Sequence, residues 1–128
     1  VIVLIDTSTP VTHLTFREGE WRYDTSWEAG RGLSKGLLRF LDQELSSQEK
    51  SWQDVTALGI FKGPGSFTGL RIGITVFNTL AYARTLPIAG ATGAAWQDNA
   101  VRRLEAGEND EIVLPEYGGE AHITQPRK

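Results

Sequence analysis

The chain has 128 residues, with 13 Lys and Arg against 16 Asp and Glu, a net charge of −3 and no cysteine. That length suits one domain, the acidic balance argues against a chain that holds nucleic acid by itself through phosphate neutralisation, and the missing cysteines exclude disulfides and thiolate metal centres. The longest uncharged stretches, residues 72–83 and 85–97, carry Thr, Asn, Gln, Pro and Gly and fall short of the roughly 18–20 apolar residues of a membrane span. With a strand-like opening in place of a basic, apolar leader, the expected location is the cytoplasm, away from any membrane.

Val1–Ile5 is an unbroken apolar, β-branched run and predicts a strand buried on both faces, central in its sheet. Val11–Glu18 alternates, Gly19 and Glu20 break the pattern, and Trp21, Tyr23 and Thr25 resume it, which predicts a hairpin. The three segments together predict an antiparallel meander. From Arg31 to Ser46 the period becomes helical, with Leu33, Leu37, Leu38, Phe40, Leu41 and Leu45 filling an arc of roughly 160°, wider than an ordinary surface helix shows.

Thr56–Phe61 predicts another inner strand. Gly63-Pro64-Gly65-Ser66 then forbids regular structure and offers Ser66 as the cap of a helix from Phe67 to about Arg84. That helix has one apolar face of Phe67, Leu70, Ile74, Phe77 and Ala81, and a second of Ile72, Val76, Leu80 and Ala83 with Gly69 and Gly73. So much apolar circumference requires cover on two sides, a sheet on one and another helix on the other. Pro87–Ala91 predicts a strand, Ala94–Ala106 a helix and Ile112–Leu114 a last short strand. Glu105, Glu108, Asp110, Glu111, Glu116 and Glu120 suggest a solvated loop and tail. The order βββαβαβα fits an α/β domain with a mixed sheet.

Two segments carry candidate chemistry. Asp6-Thr7-Ser8-Thr9 places a carboxylate and small hydroxyls at the end of a buried strand, where a magnesium-bound phosphate can sit; the alternative is a tight turn held by local hydrogen bonds. The string Gly63-Pro64-Gly65-Ser66-Phe67-Thr68-Gly69-Leu70-Arg71-Ile72-Gly73 feeds a helix N-terminus, so Gly63, Gly65 and Ser66 can form an anion loop, although no Walker lysine follows. The preferred reading uses Gly69 and Gly73 to let a second helix approach closely. His13 and His122 form no metal or triad spacing and are taken as surface or turn residues. Trp21, Trp27, Trp52 and Trp96 have no interleaved basic stripe and are taken as core or interface residues.

The glycine string resembles the hallmark of the TsaB (YeaZ) family. Ile2–Thr9 and Leu86-Pro87-Ile88-Ala89-Gly90 are similar to that family's opening and third segment, and Pro115-x-Tyr117 to a C-terminal Pro-x-Tyr. The resemblance implies a ribonuclease-H-like lobe of the actin-like ATPase (ASKHA) fold over residues 1–96, with residues 97–128 a short helix and tail in place of most of a second lobe. It also implies a non-catalytic subunit supporting a TsaD-like transferase that makes N6-threonylcarbamoyladenosine in tRNA, joined by a TsaE-like ATPase, with tRNA met only indirectly and a homodimer in isolation. No cofactor is expected in this chain, and ATP and magnesium only through a partner complex. The resemblance assigns the partner interface to the two helices, at Leu33, Leu37, Leu41, Gly69, Leu70, Gly73, Val76, Phe77 and Leu80. Two alternatives stand beside it: a small ASKHA-type phosphotransferase or ATPase using Asp6 and the glycine loop, and a homodimeric regulatory module unrelated to tRNA.

Overall fold

The computed structural model describes residues 1–117. A five-stranded sheet runs in the order β3-β2-β1-β4-β5, built from β1 (Ile2–Asp6), β2 (Val11–Glu18), β3 (Trp21–Glu28), β4 (Ala57–Phe61) and β5 (Ile88–Ala91). β1 pairs antiparallel with β2 and parallel with β4, β2 pairs antiparallel with β3, and β4 pairs parallel with β5. The sheet is therefore mixed, with the apolar opening segment in its centre and the antiparallel meander on one side. The helices are α1 (Leu33–Ser47), α2 (Phe67–Arg84) and α3 (Trp96–Glu105).

Alternation along each strand sorts the side chains into two cores. Val3, Ile5, Leu14, Phe16, Leu58, Ile60 and Ile88 share one with α1 and α2. Leu4, Ala57, Ala89 and Ala91 face the other, closed by Trp96, Ala100, Val101 and Leu104 of α3. Small residues on that second face let α3 lie close: a Cβ at Gly59 would run into Leu4 and stand in contact with Ala100. Helix α3 thus belongs to the same packed unit as the strands.

The ends of α2 follow from local chemistry. Ser66 caps it, its hydroxyl accepting from the Gly69 N–H at 3.3 Å. Thr85 stops it in the left-handed region at φ 55°, and the Leu86 N–H returns to the Ala81 carbonyl before Pro87, which cannot continue a helix.

Residues 112–114 do not form the expected strand. Irregular chain covers the open edge of β5 instead: the Asp110 N–H donates to the Ile88 carbonyl, the Ile88 N–H to Asn109 Oδ1, and the Gly90 N–H to Asp110 Oδ2. Asn78 then holds Val113 through both its amide groups at 2.9 Å. Side-chain acceptors replace the ladder, so no strand periodicity is needed. The acidic segment is correspondingly less solvated than its composition suggests, since Arg103 pairs with both Glu108 and Asp110. Glu120 and His122 lie outside the described residues.

Candidate functional site: the glycine loop and the two-helix face

The two motif segments meet. The Ser66 N–H donates to the Ser8 carbonyl at 2.8 Å, and the Thr7 hydroxyl donates to the Gly69 carbonyl at 2.8 Å. A Cβ at Gly65 would collide with Ser8, and one at Gly69 or Gly73 with Thr7. At Gly63, whose φ of +125° already favours glycine, the space is taken by the Glu116 carbonyl. The glycines are packing residues, as preferred from sequence, but their neighbour is the loop after β1 and not a second helix.

This changes the status of the expected anion loops. Asp6 Oδ1 accepts from the Ser8 N–H at 2.8 Å, the local turn named as the alternative. Thr7 and Ser8 are buried, and Thr9 donates to the Val11 carbonyl. The Ser8 carbonyl takes the Ser66 N–H and the Thr7 carbonyl lies against Gly69 in the first turn of α2. Thr7 and Ser8 thus clasp Gly65, Ser66 and Gly69, while Asp6 closes its own turn and Gly63 packs on Glu116.

The helix face also needs correction. Leu37, Leu41, Leu70 and Phe77 are fully covered and Leu33 nearly so, all within the core beneath α1 and α2. None presents a side chain to a partner, because sheet and helices of this chain already bury it. Gly69 and Gly73 face Thr7. Of the expected interface residues, Val76 and Leu80 keep partial exposure. They are joined by half-buried Ile72 and by Leu38, which is 52% exposed. Both stand at the margins of the apolar arcs, the only sign in the sequence that they differ from the core leucines. Phe67, expected on the buried face, is 55% exposed and is stacked by Tyr117 with ring centroids 4.4 Å apart.

Two adjoining hollows of about 460 and 430 Å³ run along the seam of α1 and α2 and share Ser34, Thr68 and Ile72. Arg31 lines the first and Arg71 the second, and among the described residues no carboxylate lines either. A hollow of about 300 Å³ on the opposite sheet face gathers Asp6, His13, Asp24 and Trp96. There Asp24 accepts from Thr15 and from Arg22, and the Arg22 guanidinium holds its pKa below the ordinary carboxylate range. Among the described residues no group of three or more His, Cys, Asp or Glu is placed to hold a metal ion, and no helix is long and apolar enough to cross a membrane. Trp27 packs on Phe40, Trp52 lies under Arg84, Trp21 under Lys50, and Trp96 closes the second core.

A family model described as TsaD, tRNA N6-adenosine threonylcarbamoyltransferase, matches residues 27–100, which include α1, β4, α2 and β5. Similar relatives are tRNA threonylcarbamoyladenosine biosynthesis proteins TsaB. That of Haemophilus influenzae is 26% identical over 97% of this chain and 52% of its own length; that of Escherichia coli is 36% identical over 59% of this chain and 36% of its own. The chain belongs to this family, on its TsaB (YeaZ) branch. In the solved structures, YeaZ from Pseudomonas aeruginosa superposes with a TM-score of 0.68 at 26% identity, covering 81% of this chain and 49% of that one. The ribonuclease-H-like expectation for the sheet and helices is thereby met. The chain spans about half the length of the TsaB relative from H. influenzae and of the YeaZ structure.

Proposed function

We propose that this TsaB-type lobe is a non-catalytic binding subunit that supports a TsaD-like threonylcarbamoyltransferase in the modification of tRNA, and that it docks through the outer face of α1 and α2. One observation carries the reading: after the core has taken Leu37, Leu41, Leu70 and Phe77, the outer surface of these helices keeps Leu38 exposed and Ile72, Val76 and Leu80 half-buried, with Ile72 and Val76 lining a groove. Apolar side chains left clustered on a surface favour a protein partner. The clasp between Thr7–Ser8 and Ser66–Gly73 supports the non-catalytic part, because groups that can serve a phosphate are spent on the chain itself.

In this reading tRNA, ATP and magnesium are handled by the partner complex, which a TsaE-like ATPase joins. The net charge of −3 agrees with leaving tRNA phosphates to another subunit. The test is co-purification with the TsaD-like paralogue of the same cell, together with mass spectrometry of tRNA nucleosides after depletion of this protein. Loss of the modified adenosine is expected; an unchanged level with no co-purification rejects the proposal.

A further inference from the structure

The first turns of α1 and α2, the start of β2 and the chain between β3 and α1 together line the hollow of about 460 Å³. Its floor is Thr12, which stands on the face of β2 that also carries Leu14 and Phe16 into the core beneath the helices. Thr12 is fully buried, and its Oγ1 is the one buried side-chain polar atom among the described residues without a hydrogen-bond partner. Buried hydroxyls are nearly always bonded, because an unpaired one forfeits the bond it made to water. A valine would fill the same space without that cost, so a hydroxyl at this place points to a partner from outside the chain.

The rest of the wall favours negative charge. Helix α2 opens on the hollow at Ser66, Thr68 and Gly69, and α1 at Leu33 and Ser34. Each helix brings the positive end of its dipole there, neither first turn holds an acid, and Gly32 gives α1 no side-chain cap. Arg31 adds a full charge; it is exposed and, among the described residues, joins no ion pair. Among the described residues no Asp or Glu lines the hollow, which disfavours cations and zwitterions alike. The residues that hold the clasp and those that face this hollow overlap only at Ser66 and Gly69.

We infer that this hollow binds a small organic oxyanion, a phosphomonoester or a carboxylate. The anionic group lies between Arg31 and the first turn of α2, Thr12 supplies a hydroxyl from the floor, and the carbon body rests on Leu33 and Ile72. A guanidinium fork and a helix N-terminus suit the oxygens of either head group, and the volume lies within the range of small-molecule sites.

Calorimetry on the whole chain, with no partner protein present, tests this with glycerol 3-phosphate and isovalerate as anions and with glycerol and isovaleramide as their neutral counterparts. At least one anion is expected to bind with a Kd of about 1 mM or tighter and neither neutral compound to bind; the tighter anion identifies the head group. Arg31→Gln should weaken that anion on the order of tenfold, and Arg84→Gln, in the last turn of α2, should leave it unchanged. Thr12→Val should weaken binding by about threefold or more while the unfolding midpoint stays at or above that of the parent, since the change removes an unpaired hydroxyl. Anions that bind no better than the neutral compounds overturn the inference. So does binding that survives both Arg31→Gln and Thr12→Val, or that falls equally in Arg84→Gln. A Thr12→Val chain with a lowered midpoint and parental anion binding also overturns it, because the hydroxyl would then serve the fold alone.

Discussion

The Thr7 hydroxyl donates to the Gly69 carbonyl at 2.8 Å across 62 positions of sequence, and the Thr7 side chain rests where a Cβ of Gly73 would stand. A residue after the first strand thereby fixes the first two turns of the long helix, and this contact explains two glycines at four-residue spacing.

Gly73→Ala should destabilise the protein even though alanine is the better helix former by about 1 kcal/mol. The added methyl overlaps Thr7, and overpacking of this kind costs about 1–3 kcal/mol. Thr7→Ala costs stability alone but makes room, so the double variant should lose less than the sum of the two single ones. Urea unfolding of the four proteins measures that coupling, and strict additivity would show that Thr7 and Gly73 do not share the space.

Leu37 and Leu38 are neighbours in sequence with opposite duties, the first fully buried and the second 52% exposed. Leu37→Ala should cost about 2–5 kcal/mol, the range for a large side chain removed from a packed core. Leu38→Ala should change stability by less than about 0.5 kcal/mol yet weaken binding to the TsaD-like paralogue. Thermal melts alongside pull-downs separate the two effects.

Asp110 ties the edge of β5 to α3 through the Gly90 N–H and Arg103. Burial works against its carboxylate, but the Arg103 guanidinium and the Gly90 N–H together outweigh it and hold the pKa below the ordinary range. A carboxyl with a depressed folded pKa stabilises fully above its unfolded value of about 3.9, and that stabilisation is lost as pH falls through the folded value. Asp110→Asn should therefore be less stable than the parent at neutral pH, and the gap should close as pH is lowered below about 4. A gap of constant size in denaturant melts across that window would assign the effect to geometry and not to charge.

Thr85 holds a β-branched side chain at φ 55°, a left-handed conformation that costs an ordinary residue about 1–2 kcal/mol. Thr85→Gly relieves it at the expense of about 0.5–1 kcal/mol of chain entropy, so a small net gain is expected, read as a higher unfolding midpoint.

Much of this architecture is written locally. The bounds of α2 coincide with the expected ones because Gly-Pro-Gly-Ser and Leu-Pro bracket an uninterrupted helical pattern, and the central place of β1 follows from its two apolar faces. The division of the helix surfaces is not local. A wheel shows that Leu37, Leu38 and Val76 are apolar but cannot say which of them the sheet takes, since that depends on where α1 lies over β2 and β3. The partner of Gly69 and Gly73 was hidden for the same reason, being the loop after β1 and not the nearest helix. The cover of β5 escaped because Asn109 and Asp110 supply its hydrogen bonds from side chains, which leaves no alternation to read.

The central claim, that this chain lends a docking face to a transferase and performs no chemistry itself, is tested most directly by transferase turnover of the TsaD-like paralogue with its substrates and tRNA. The protein should raise turnover when added, and a Leu38→Glu, Val76→Glu form that still folds should fail to do so. Equal turnover with and without the protein would contradict the account.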